Sequence, residues 1–394
     1  RHWPKGGVRG RRGVWRRVLA LLLVPLLQAP VEIAPAAVFS RLSADTTKRL
    51  TTQLSDFVRH VEQPDADNPL VAVADRKMTA PLLRELRGLC ARGEQEAFFV
   101  PYLSSAVPED EELLIQLTYA GVLDGKPLVH AIVELVARET EHGFSFASPL
   151  ARRTAGWTTE SHGEQRLHFA TKPDPERVRR FFTSIEQFDA RLGNKAPRGD
   201  FYCVQDFAEG MRLLGLVYRS EYAGRKTGAL AARGADDYVF VDACYLSPAV
   251  TVFDLHDLWH DRLRLVVPPE VIHRPVDEGA AYLYAGSWGL SWPEILAKFQ
   301  AYAAAHPDAD WRSLYDASFN FDPRSRFPLR VDYAINALLI EQIERERGFG
   351  PVRELLTCGP RVDGNANYFE KLEQVTGTTR EAFSAKVREL LPTR

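Results

Sequence analysis

Two histidines stand four positions apart in His256-Asp257-Leu258-Trp259-His260, and a second acidic stretch, Asp277-Glu278-Gly279-Ala280-Ala281-Tyr282, follows downstream. If the first stretch is helical, that spacing places both imidazoles on one face, one turn apart. A carboxylate from a second helix, Glu278 or its neighbour Asp277, would complete a three-ligand set for a tetrahedral Zn²⁺ and leave the fourth position open to water. The residue after the first histidine of such a pair takes a proton from that water; it is ordinarily glutamate, and here it is Asp257. Aspartate keeps the acid–base chemistry but is about 1.5 Å shorter, and a misplacement of that size can cost on the order of a hundredfold in rate. The surroundings favour a buried site over a solvated helix face. Phe253, Leu255, Leu258, Trp259 and Leu263 make the first stretch apolar, and buried imidazoles need partners. Gly279-Ala280-Ala281 would let a second helix approach closely.

The elements that must position these residues fall into two groups. Leu50, Leu54, Phe57, Val58 and Val61 recur at helical spacing, predicting a helix over 43–61, with another over 82–90. Short runs over 97–103, 113–122 and 127–137 then follow, the last two flanking Asp124-Gly125, a strong hairpin signal. Further runs at 144–151, 156–160 and 165–170 continue the meander. The expectation is an α+β accessory domain over 40–170, its sheet wrapped around helices as in nuclear-transport-factor-2-like (NTF2-like) domains or similar ones. Its histidines, His130, His142, His162 and His168, are isolated and read as surface or core residues. Thr171-Lys172-Pro173-Asp174-Pro175 reads as a linker. Beyond it, 174–394 is expected to hold a helix at 176–192, strands at 201–204 and 238–241, the two ligand helices, and then helices almost to the end. The fold class expected is therefore α+β, an accessory α+β domain followed by a mostly helical one.

His256-Asp257-Leu258-Trp259-His260 followed by Pro275-Val276-Asp277-Glu278-Gly279-Ala280-Ala281-Tyr282 resembles the gluzincin, or peptidase-MA-like, zinc metallopeptidases, as a degenerate member with aspartate at the general-base position. The resemblance runs from about Pro173 to the C-terminus. It implies a zincin-like domain with His256, His260 and Glu278 as metal ligands, Glu278 being preferred to Asp277, and Asp257 as the base. A donor to the developing oxyanion is also needed; Tyr282, Tyr284 and Tyr333 are the candidates. Asp254, Asp261 and His273 are candidates for orienting the imidazoles, while His306 reads as a helix-end residue.

Fifty basic against 52 acidic residues, a formal net charge of −2, argue against a nucleic-acid partner. The basic residues cluster at Lys5, Arg9, Arg11, Arg12, Arg16 and Arg17, before the apolar run Val18–Leu27. A basic segment, a short apolar core and small residues after it describe an export signal over 1–37, with an uncleaved membrane anchor as the alternative. Cys90, Cys203, Cys244 and Cys358 lack metal-binding spacing and read as up to two disulfides or as isolated thiols. Together these point to an exported zinc metallohydrolase acting on peptides or proteins. The alternative is a catalytically inactive relative that binds a peptide or an envelope component.

Overall fold

The structure, a computed structural model, describes residues 30–39, 42–62, 68–93, 95, 97–195, 198–233, 237–323 and 327–391. The basic cluster and apolar run at 1–29 lie outside the described residues. The chain enters in β1 (Glu32–Phe39), followed by α1 (Ala44–Val61) and α2 (Arg76–Leu86). Ser43 caps α1 by accepting the Thr46 N–H at 3.0 Å, a stop signal for the preceding extended chain. Four antiparallel strands come next: β2 (Val100–Glu109), β3 (Glu112–Leu123), β4 (Lys126–Thr140) and β5 (Gly143–Ala147). Asp124 and Gly125 sit at φ 51° and 74° between β3 and β4. Two left-handed residues make the tight turn that matches strand twist, so the Asp-Gly signal in the sequence closes this hairpin. The sheet runs β1-β2-β3-β4-β5, with β1 parallel to β2. Leu50, Leu54 and Phe57 of α1 and Leu82 of α2 pack on it with Leu103, Ile115, Leu117 and Val133.

A one-turn helix, α3 (Leu150–Arg153), leads to the hairpin β6 (Thr158–His162) and β7 (Gln165–Phe169), then to α4 (Pro175–Leu192), β8 (Arg198–Cys203), α5 (Phe207–Leu214), β9 (Leu216–Arg219), β10 (Gly228–Arg233) and β11 (Asp237–Ala243). These strands do not respect the expected linker. The second sheet runs β10-β11-β8-β7-β6, so β7 from before Thr171 lies parallel to β8 from after it. β9 returns to the first sheet and pairs with β4.

The expected fold class is thereby overturned. The protein is mixed α/β, with two mixed sheets whose strands are spread along the chain, and not an α+β (NTF2-like) unit followed by a mostly helical domain. The reason lies in burial. β8 and β11 are covered on both faces, by Phe181, Phe182 and Phe188 of α4 on one side and by Phe207 and Leu214 of α5 on the other. Such strands read as short continuous apolar runs with no alternation to announce a sheet.

The helices that follow form one layer: α6 (His256–Leu263), α7 (Arg274–Ala285), α8 (Trp292–Ala305), α9 (Trp311–Asp316), α10 (Val331–Arg347), α11 (Phe349–Leu356), α12 (Ala366–Thr376) and α13 (Phe383–Leu390). α10 is its axis, buried at every position from Val331 to Ile340 and packed against α7, α8, α9, α11 and α13. A β-carbon at Gly279 would lie 2.5 Å from Asn336 Cβ and 2.9 Å from the Ala337 nitrogen. The small stretch after Glu278 therefore permits close approach, as its composition predicts, but to α10. No helix among the described residues is long and apolar enough to cross a membrane. All four cysteines are free thiols.

Candidate metal centre

Asp254 Oδ1 accepts the His256 N–H at 2.9 Å, a side-chain turn that leads the chain into α6, whose first turn is closed by the Trp259 N–H donating to the Leu255 carbonyl at 3.3 Å. The helix is held against α4 by a buried two-point ion pair, Arg262 Nε and Nη2 to Asp189 Oδ1 and Oδ2 at 2.8 and 2.6 Å. Trp259, fully buried against Phe188 and Tyr284, fixes its rotation. With α6 so placed, both histidines face the first turns of α7.

Three ligand atoms converge. His256 Nε2 lies 3.2 Å from Glu278 Oε2 and 3.3 Å from His260 Nε2, and the third edge, His260 Nε2 to Glu278 Oε2, is 3.9 Å. A point equidistant from these atoms lies about 2.0 Å from each, which is the zinc–nitrogen and zinc–oxygen bond length. The cluster His256, His260 and Glu278 can hold a metal ion.

The other polar atoms of the same side chains explain why those three face inward. His256 Nδ1 donates to the Gly286 carbonyl at 2.9 Å, and His260 Nδ1 donates to Asp277 Oδ1 at 2.8 Å. Each ring is thus left with its Nε2 lone pair directed at the common centre, the arrangement in which a second partner fixes the tautomer of a ligating histidine. Asp277 also accepts the Trp259 indole N–H at 3.0 Å. It is a positioning residue, and Glu278 is the carboxylate in the triangle. Arg274, one turn before Glu278, donates to its Oε1 at 3.2 Å and leaves Oε2 for the centre.

Burial opposes charge on both residues of the closest pair, and in both the partners prevail. Glu278 would be raised by burial, but with the imidazoles protonated the His256 hydrogen bond, the charges of both rings and the Arg274 hydrogen bond hold it at about 2; a metal ion would displace those protons and free both Nε2 lone pairs. His256 would be lowered by burial, but Glu278 and the Gly286 carbonyl raise it. The centre is built to keep a carboxylate ionised and to attract positive charge.

The triangle opens into a cleft of about 960 Å³ lined in part by Asp257, Tyr282, Tyr333, Arg330, Trp288 and Phe327. Asp257 is exposed in this cleft and makes no hydrogen bond or ion pair. Tyr333 is also free at its hydroxyl, and burial, with Glu278 nearby, pushes it up to about 12. Tyr282 is less free: its hydroxyl accepts the Arg330 N–H at 3.4 Å, and its ring meets Tyr333 edge-on at 5.5 Å.

The remaining candidates separate cleanly. The structure takes Tyr284 away from the centre, its hydroxyl donating to Glu344 at 2.7 Å. Asp254 helps to orient His256 through the backbone, whereas Asp261 is bound to Tyr245 at 3.2 Å. His273 is fully buried, stacks on Tyr368 at 5.1 Å, and has no partner at either ring nitrogen. His306 Nδ1 donates to the Tyr302 carbonyl at 2.8 Å, one turn back at the end of α8. Sequence reasoning missed Arg330, Trp288, Phe327 and the Gly286 carbonyl. The Arg274–Glu278 pair was legible as an i,i+4 spacing; a backbone carbonyl has no sequence signature at all.

No protein-family model matches the chain, and no curated protein matches it either.

Proposed function

We propose that this chain is an exported zinc metallohydrolase, a peptidase of the gluzincin kind, with His256, His260 and Glu278 as ligands. The observation that carries the reading is the inward triangle of His256 Nε2, His260 Nε2 and Glu278 Oε2, with each imidazole's other nitrogen tied down. Two neutral imidazoles and one carboxylate are the donor set of catalytic zinc sites. Zinc held there would supply Lewis acidity toward a carbonyl and acidify a water molecule. Asp257, unpaired and exposed in the cleft, accepts the water's proton and returns it to the leaving amine. The free Tyr333 hydroxyl donates to the oxyanion, with Tyr282 behind it. The leader in the sequence supports export, and the cleft accommodates a peptide.

Metal analysis after dialysis against trace zinc tests the first half: about one equivalent is expected, and a folded protein that takes up none ends the reading. Cleavage of a mixed peptide library tests the second, with loss of activity expected for Asp257→Asn. The short side chain of Asp257 favours one other reading, a metal-holding protein that binds peptides without cutting them. Asp257→Glu separates the two. Cleavage gained only in that variant assigns the natural protein to binding.

A further inference from the structure

The cleft has an exposed aromatic and apolar wall, and its central residue is carried by the turn that orients the first histidine. Ser287 and Leu290 exchange two backbone hydrogen bonds of 2.9 Å, and between them Trp288 and Gly289 stand at φ 57° and 78°. A two-residue turn of this kind takes left-handed residues, ordinarily asparagine, aspartate or glycine. Tryptophan at its first position is held against its backbone preference. The result is presentation. Trp288 is 47% exposed and stacks on Phe327, itself 38% exposed, with ring centroids 4.4 Å apart and planes 7° from parallel. Val252, exposed beside them, packs so closely on Gly289 that a β-carbon there would lie 2.7 Å from Val252 Cγ1. All three residues line the cleft that holds the metal triangle.

The same turn grips α6 at two points. The Gly286 carbonyl accepts from His256 Nδ1, and the Gly289 N–H donates to Asp254 Oδ2 at 3.2 Å, Asp254 being the residue whose other oxygen accepts the His256 N–H. The apolar wall and the first ligand are therefore set by one rigid piece of backbone. The lining also carries charged side chains, Asp257, Arg264, Arg274 and Arg330 among them. A ligand fitting both parts has an apolar side chain on a polar backbone.

We propose that Trp288, Phe327 and Val252 form a subsite for a large apolar or aromatic side chain next to the reacting carbonyl of a peptide. This rests on the metal reading above and adds to it the substrate class. Aromatic walls of this kind recognise side chains by area and ring stacking, with little entropy to lose.

The test uses two probes sharing a zinc-binding head, L-phenylalanine hydroxamate and glycine hydroxamate, titrated calorimetrically into the zinc-loaded full chain. Their affinity ratio isolates the side chain. At least tenfold tighter binding of the phenylalanine probe is expected. Trp288→Ala should bring the ratio close to one at unchanged zinc content, and Phe327→Ala should reduce it several-fold, serving also if Trp288→Ala does not fold. Equal binding of the two probes by the natural protein, or a ratio that survives both substitutions, overturns the subsite while leaving the metal centre intact. Zinc content measured first distinguishes that result from failure of the metal reading itself, which would remove the subsite with it.

Discussion

Two buried clusters in this protein are made of the same parts, and only one of them is open. On the second sheet, Asp200 receives His168 Nε2 at 2.7 Å, Arg166 Nη2 at 2.8 Å and Lys77 Nζ at 2.6 Å. His168 Nδ1 is engaged by Thr159 at 2.9 Å, and its ring lies flat on Tyr202. Burial pushes the Asp200 carboxyl up, but these three donors hold it well below the usual carboxylate range. Every acceptor there has a protein donor. Between α6 and α7 the proportions are reversed. The outer atoms are the ones with partners, Gly286 and Asp277 accepting from the two Nδ1 atoms and Arg274 donating to Oε1, while two Nε2 atoms and Oε2 meet with nothing but each other. A buried histidine beside a carboxylate is thus no sign of a site. What distinguishes a site is acceptor atoms converging after every other bond has been satisfied.

The largest effect expected from this contrast is on metal uptake. His260→Ala removes one vertex of the triangle. It should reduce zinc from about one equivalent to none after dialysis, exceeding the about 10–100-fold loss typical of a supporting partner. Asp200→Asn should leave zinc unchanged. Uptake that survives His260→Ala, or that falls equally in both variants, would break the distinction.

Another buried histidine sharpens it, because His273 has neither donors arranged around it nor ligands facing it. Burial, aided by the charge of Arg361, lowers its pKa from 6.5 to about 4. Below pH 6.5 the unfolded chain binds a proton that the folded chain refuses, so stability falls as the pH drops toward 4 and levels off below it. At about 1.4 kcal/mol per unit, the loss is on the order of 3 kcal/mol. Denaturant melts from pH 7 to pH 4 should show this slope in the natural protein. His273→Phe, which keeps the stack on Tyr368, should remove that part of it.

How much of this was legible in the sequence depends on range. Local signals were read correctly where one segment carries them: the helix expected over 43–61, the Asp124-Gly125 turn, and the apolar context of His256 and His260. The sheet order was not. Nothing within Leu167–Phe169 or Phe201–Cys203 announces that these segments lie side by side, and the prolines between them suggested a boundary where the second sheet continues. The three residues of the triangle were found because two of them share one helix turn. Asp277 was noticed as a rival ligand, but its role follows from which oxygen reaches which nitrogen, a matter of rotamer and helix rotation. Trp288 was invisible for another reason. A tryptophan before glycine reads as surface apolar noise until the backbone shows both residues left-handed.

Asp277→Asn probes that role directly. The amide keeps the volume and can still accept from Trp259, but it loses the charge that holds His260 in its tautomer. Zinc affinity should drop by about 10–100-fold with the fold retained. Competition against a zinc-responsive dye would measure it, and an unchanged affinity would make Asp277 a packing residue only.

The smallest effect belongs to the closed cluster. Asp200→Asn takes the shared counter-charge from Arg166 and Lys77, but Lys77 keeps Asp237 at 3.7 Å and both reach solvent, with side chains 54% and 26% exposed. Water can therefore replace much of what is lost, and about 1 kcal/mol of stability is the expected cost at neutral pH. The sign follows from the depressed carboxyl. Its contribution is present above the ordinary aspartate range and fades as the pH falls through the folded value, so the two proteins should converge in strong acid. A gap that stays constant down to pH 2 would mean that Asp200 contributes through packing and not through charge. The closed cluster would then owe its stability to shape, and the contrast with the open one would rest on geometry alone.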